Sequence, residues 1–176
     1  MSLNDPSTST KNVYNLCIAA LFMALNVAAS SVGIPVPGGH FYLNDVVICT
    51  ASLLLSPLYA TLVGGVGAFL GDFFFYPAPM FVSLVVRGLQ ALAISLCANK
   101  LKGVRKETAG IIGVSIGAVI MVVGYSLGRA YIYSTPDYAW LKLPYQILQA
   151  GVGAVAGMIL CFGLNLRKYV KKGLPY

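Results

Sequence analysis

The stretch that decides the fold runs from Gly64 to Gln90, GGVGAFLGDFFFYPAPMFVSLVVRGLQ. It predicts two apolar helices meeting at a tight turn, Tyr76-Pro77-Ala78-Pro79, because proline sets its own φ and pushes the preceding residue out of the helical region. An acid, Asp72, and a base, Arg87, sit inside this apolar text. Ionisable groups at membrane depth are costly and normally face a bundle interior or a water-filled cavity, so the two are expected to line a pocket beside the turn.

Composition agrees. The chain of 176 residues is 58% hydrophobic and 10% charged, with mean hydropathy +0.80. A soluble domain carries roughly 25% charged residues, so the expected class is an all-α membrane protein. Its length accommodates about six helices of ~20 residues joined by short links. The net charge of +7 does not indicate nucleic-acid binding, because 9 of the 12 basic residues lie at the chain ends or in one central loop. Cys17, Cys49, Cys97 and Cys161 are far apart in apolar segments and have no metal-ligand or disulfide spacing; they act as small hydrophobes.

Outward from the hairpin, the chain divides into residues 1–12, a polar lead-in expected to be disordered and cytoplasmic; 13–166, a single six-helix membrane domain; and 167–176, a basic cytoplasmic tail. The segments are Val13 to Ile34, Leu43 to Leu55, Leu58 to Phe75, Pro79 to Asn99, Thr108 to Ser134 and Tyr138 to Leu166. The second is short, ~20 Å at helical rise against a ~30 Å hydrocarbon core, and follows a polar, glycine-rich loop, Pro35 to Asn44. Lys100, Lys102, Arg105 and Lys106 share one loop, and Arg167, Lys168, Lys171 and Lys172 share the tail, whereas loops 35–44, 76–79 and 135–137 hold no lysine or arginine. The positive-inside rule therefore places both termini and the 100–106 loop on the cytoplasmic side of the membrane.

With that orientation the buried polar residues fall in the outer half. Asp72 lies near the outer end of segment three, Arg87 ~12 Å deep in segment four, Arg129 near the end of segment five, Lys142 one turn into segment six, Asp45 at the start of segment two, and Asn26 in segment one. Ser83, Arg87 and Gln90 share one helix face; Lys142, Gln146 and Gln149 repeat that spacing; Tyr125, Arg129 and Tyr133 follow at i, i+4, i+8. Apolar walls with a few convergent polar groups are what small-molecule sites present. The expected substrate-binding set is Asn26, His40, Asn44, Asp72, Ser83, Arg87, Gln90, Tyr125, Arg129, Lys142, Gln146 and Gln149. The bland alternative is structural ion pairing, Asp72 with Arg87 and Asp45 with Arg129 or Lys142, or a snorkelling Lys142. Small residues form ridges at Ala20, Ala24 and Ala28, at Gly153 and Gly157, and at Gly64 and Ala68, spacings that permit close helix approach.

Catalytic signatures are missing: no P-loop G-x-x-x-x-G-K-S/T, no G-x-S-x-G, no H-E-x-x-H and no paired histidines. The chain is not expected to be an enzyme, to hold a cofactor or metal, or to hydrolyse ATP. No internal repeat or inverted pair of halves is visible, which counts against an autonomous carrier or channel, the competing function. A ligand-free structural subunit is the third.

The chain resembles the substrate-binding S-components of energy-coupling factor (ECF) vitamin transporters. The resemblance spans Val13 to Leu166 and rests on AALFMALNVAA, on LNDVVICTASLLLSPLYATLVGGVGAFLGD and on the YP turn followed by VVRGLQALAISL. LPYQILQAGVGAVAG resembles the branch assigned to hydroxymethylpyrimidine, pyridoxine and riboflavin-like substrates. It implies a six-helix bundle with loop 35–44 as a gate over an outer-leaflet site. It also implies a transmembrane coupling protein and two cytoplasmic ATPases as partners, with ATP used there. Ala20, Ala24 and Ala28 would face the coupling protein, and the subunit would topple to carry its site inward. Pyridoxine or hydroxymethylpyrimidine is the first expected substrate, then pantothenate or riboflavin.

Overall fold

The computed structural model describes residues 6–37, 39–101, 103–164, 166, 167 and 170. Lys102, Lys168, Lys171 and Lys172, four of the charges used above to orient the chain, lie outside these residues. The described chain forms six helices, α1 (Pro6–Ser31), α2 (Asn44–Leu54), α3 (Pro57–Phe75), α4 (Met80–Lys100), α5 (Lys106–Tyr133) and α6 (Pro136–Gly163). The first helix begins at Pro6, although its apolar span starts at Asn12. Pro57 and Pro136 each open a helix, where the missing N–H of proline is not needed.

Five of the helices are long and apolar enough to cross a membrane. The sixth, α2, has 11 residues, or about 16 Å at helical rise. It is nonetheless central: it packs against α1, α4 and α6, and Ile48, Ala51 and Leu53 are fully buried. The long helices expose large apolar side chains on the outside of the bundle, among them Leu21, Phe74, Phe81, Ile132, Trp140 and Val155. A surface of this kind is stable against lipid, not water, and it contains hydrogen-bonded helices as a bilayer requires. The protein is an all-α, multi-pass membrane protein.

One element departs from the expected pattern. Residues expected as a polar loop form an antiparallel hairpin, β1 (Gly33–Val36) and β2 (Gly39–Tyr42), with Gly33 opposite Tyr42 and Val36 opposite Gly39. Gly39 has φ +147°, and a Cβ there would stand 3.2 Å from an Arg129 guanidinium nitrogen. Glycine is needed there for the backbone angle.

Three helices contain a π-turn: Leu62–Val66 in α3, Arg129–Tyr133 at the end of α5 and Ile159–Gly163 at the end of α6. The second lies beside the hairpin, where Arg129 approaches Gly39. Small residues set the helix spacing, including four glycines of α5 not singled out in the sequence. Gly113, Gly117, Gly124 and Gly128 of α5 lie against Ile94, Val86 and Val82 of α4, and Gly64 lies against the Arg87 carbonyl and Ala91. Gly153 and Gly157 of α6 abut Asp45 and Cys49 of α2. These ridges pack within the bundle. Ala20, Ala24 and Ala28 instead lie exposed on the outside of α1.

Candidate functional site

At the end of the bundle that carries the hairpin and the 76–79 turn, α3, α4, α5 and α6 enclose a cavity of about 50 Å³. It is lined by residues from every one of these elements, among them His40, Tyr76, Arg87, Tyr125, Arg129 and Lys142. The space is large enough for a few waters but far below the ~300 Å³ at which small-molecule pockets begin.

The floor is a hydrogen-bonded network centred on Asp45, which is 1% exposed. Arg87 Nη1 forms an ion pair with Asp45 Oδ1, and Gln90 Nε2 donates to the same oxygen at 3.2 Å. Gln149 Nε2 donates to Asp45 Oδ2 at 2.6 Å, and Arg87 Nη1 also donates to Gln90 Oε1 at 3.0 Å. A buried ion pair costs several kcal/mol per ion in desolvation, so it persists only when remaining donors and acceptors are met. Here they are, by residues from α2, α4 and α6.

The expected pairing of Asp72 with Arg87 is corrected by this arrangement: the partner of Arg87 is Asp45. The Asp45 carboxylate is met by Arg87, Gln90 and Gln149, and Lys142 is turned to the His40 carbonyl. Asp72 accepts a hydrogen bond from Ser83; the Ser83 and Tyr125 hydroxyls are 2.5 Å apart; and Arg87 Nε donates to the Tyr125 hydroxyl at 3.2 Å. Asp72 therefore reaches Arg87 through two hydroxyls. Position along the helices explains the preference. Asp45 enters the bundle in the first turn of α2, directly facing α4, whereas Asp72 sits one turn from the end of α3, level with Ser83.

The wall opposite is cationic and aromatic. The Arg87 guanidinium lies 5.0 Å from the Tyr125 ring centroid, and Arg129 lies 5.5 Å from that of Tyr133; such contacts are attractive through the ring quadrupole. The roof is the hairpin. Lys142 Nζ donates to the His40 carbonyl, the Tyr42 N–H donates to Gln149 Oε1 at 3.3 Å, and the His40 and Tyr76 rings meet edge to face at 5.9 Å. Burial pushes the Tyr42 phenol up to about 12, leaving it a neutral donor.

Of the residues singled out in the sequence, His40, Asp72, Arg87, Tyr125, Arg129, Lys142, Gln146 and Gln149 line the cavity. Gln146 also donates to the Val122 carbonyl of α5 at 2.8 Å. Asn44, Ser83 and Gln90 stand one layer behind; Asn44 accepts from Arg87 Nη2 at 3.4 Å. Asn26 is elsewhere. It is fully buried between α1 and α3, and its Nδ2 donates to the Val63 carbonyl at 2.8 Å, inside the π-turn of α3. Sequence reasoning left out Tyr42, Tyr76 and Met121, which also line the cavity, and gave Asp45 no place in the site. Charge balance was the available signal for Asp45: three cations within apolar segments, Arg87, Arg129 and Lys142, required more than Asp72.

Among the described residues, no cluster of His, Cys, Asp and Glu is placed to hold a metal ion. A protein of Pyrococcus woesei bearing the name "Uncharacterized protein in gap 3'region" is 31% identical over 146 residues, 82% of this chain and 96% of that one. The model of the family described as "ECF-type riboflavin transporter, S component" matches residues 10–168. A membrane bundle with a cavity lined by polar side chains at one end, matched over nearly its whole length, is thus a substrate-binding transporter subunit and not an enzyme: the chain belongs to the ECF-type riboflavin transporter S-component family.

Proposed function

We propose that the protein captures a flat, heteroaromatic B-type vitamin, riboflavin first, from outside the cell and presents it to an ECF coupling module for import. The observation that carries this reading is the lining of the cavity. Four tyrosines, Tyr42, Tyr76, Tyr125 and Tyr133, surround it together with Arg129, Lys142, Gln146 and Gln149. Ring faces suit a planar π-system, while the Lys142 ammonium, which donates to the His40 carbonyl and carries three N–H groups in all, offers a donor to an acceptor-rich ring edge. Because Arg87 is neutralised by Asp45, the site carries less free positive charge than its sequence suggests. That weakens the case for an anionic substrate such as pantothenate. The family's description names riboflavin, and its larger ring uses more of the tyrosine surface than pyridoxine or hydroxymethylpyrimidine.

The cavity is too small for any of these vitamins with the hairpin seated, so entry requires residues 33–42 to lift away from α6. No P-loop is present in the chain, and in this reading ATP is used by two cytoplasmic ATPases bound to a coupling protein. The exposed ridge of Ala20, Ala24 and Ala28 is the docking surface we assign to the coupling protein. Small residues allow a partner helix to approach closely in lipid. Both termini and the 100–106 loop are cytoplasmic in this topology.

The test is calorimetric titration of the purified protein with riboflavin, pyridoxine, hydroxymethylpyrimidine and pantothenate. Riboflavin is expected to bind at micromolar affinity or tighter and to outcompete the others. Preferred binding of pantothenate would overturn the aromatic assignment, and binding of none would overturn the function.

A further inference from the structure

The hairpin and the cavity floor are joined by one continuous chain of hydrogen bonds, and its polarity is set by a single carboxylate. Asp45 Oδ1 accepts from Arg87 and from Gln90, and Asp45 Oδ2 accepts from Gln149 Nε2. With its amide nitrogen so committed, Gln149 turns its Oε1 outward, where it accepts the backbone N–H of Tyr42 in β2. Asp45 also lies close in sequence to Tyr42, on the far side of the short link into α2. From these contacts we infer that Asp45 is a positioning residue that orients the Gln149 amide and thereby holds the hairpin over the site. Asp45 does not line the cavity and is not assigned a ligand contact. The inference rests on the vitamin-site reading for its purpose, but its geometry is testable without any ligand.

The donor and acceptor pattern makes the test specific. In Asp45→Asn, Oδ1 still accepts from Arg87 and Gln90, but the second position now presents an N–H. Gln149 must rotate its amide to accept that N–H, and its own nitrogen then faces the Tyr42 N–H, donor against donor. The hairpin tie is lost. In the double variant Asp45→Asn with Gln149→Glu, the carboxylate at 149 accepts from both the Asn side chain and the Tyr42 N–H. The net charge returns to that of the wild type and every bond in the chain is restored.

Hydrogen exchange of the full-length protein in nanodiscs, read on peptides covering 33–42, follows the tie directly. Asp45→Asn is expected to exchange about five- to tenfold faster there, as loss of one net hydrogen bond implies, and the double variant is expected to return to the wild-type rate. Gln149→Met, which removes the acceptor but leaves the Asp45–Arg87 pair, is expected to match Asp45→Asn and covers the case in which that variant folds poorly. Wild-type exchange in Gln149→Met, or a folded double variant that stays as fast as Asp45→Asn, would overturn the inference. Failure of all vitamins to bind, with the exchange pattern as expected, would overturn only the proposed substrate.

Discussion

Gly153 of α6 and Asp45 of α2 meet so closely that a Cβ on Gly153 would lie 2.5 Å from the Asp45 Cβ and 3.1 Å from its carbonyl carbon. The contact seats α6 against the start of α2 and brings Gln149, one turn earlier, within 2.6 Å of the Asp45 carboxylate. Backbone atoms cannot give way as a flexible side chain would. Gly153→Ala is therefore expected to destabilise by about 1–3 kcal/mol through overpacking, outweighing the ~1 kcal/mol gained in helix propensity. Gly151 of the same helix has nothing within 4 Å of its missing Cβ, so Gly151→Ala is expected to stabilise. Opposite shifts of the two melting temperatures in one detergent are the check; shifts of the same sign would contradict the packing described.

Arg87 and Asp45 are 2% and 1% exposed, so removing either strands a charge. Arg87→Met or Asp45→Leu alone is expected to cost about 3–5 kcal/mol. Arg87→Met with Asp45→Leu is expected to cost less than the sum, because no unpaired charge remains. A double-variant cycle on thermal unfolding measures this, and strict additivity would show that the pair is not energetically coupled.

The bundle was more legible than the site. Apolar runs bounded by Pro57, Pro77 with Pro79, and Pro136 gave the helices α3, α4 and α6, and the i, i+4, i+7 stripes on α4 and α6 pointed to the cavity because helix faces follow from spacing alone. The hairpin was not legible. Pro35-Val36-Pro37 and the glycines after it carry turn signals, whereas the strands rest on contacts distant in sequence: Tyr42 and His40 against α6 and the His40 ring against Tyr76. The partner of Arg87 was missed for a related reason. Asp72 is nearer in sequence and shares the apolar hairpin, but pairing is decided by depth and facing, which put Asp45 opposite Arg87.

Asn26 is a buried polar residue whose partner is backbone. Its amide satisfies the Val63 carbonyl within the π-turn of α3, where the helix's own hydrogen bonding is irregular. Asn26→Leu leaves that buried carbonyl unmet and is expected to destabilise by about 1–3 kcal/mol, with vitamin affinity unchanged at temperatures where the variant is folded. A large loss of affinity without loss of stability would return Asn26 to the ligand site.

Lys142 joins the cavity to its roof through the His40 carbonyl. A charge-assisted hydrogen bond contributes about 1.5–3 kcal/mol, so Lys142→Met is expected to weaken vitamin binding roughly 10- to 150-fold. Faster dissociation should carry most of that loss, since the seated hairpin retains the ligand. Stopped-flow kinetics separate the two rates; a change confined to association would argue that Lys142 steers the ligand and does not hold the roof.

The central claim is that the cavity beneath the hairpin is a vitamin site, and titrating riboflavin fluorescence against the full-length protein in nanodiscs addresses it most directly. Saturable quenching at micromolar riboflavin or below, weakened at least tenfold in Lys142→Met, is the expected result. Absence of saturable quenching by the wild-type protein, or equal affinity in the variant, would contradict it.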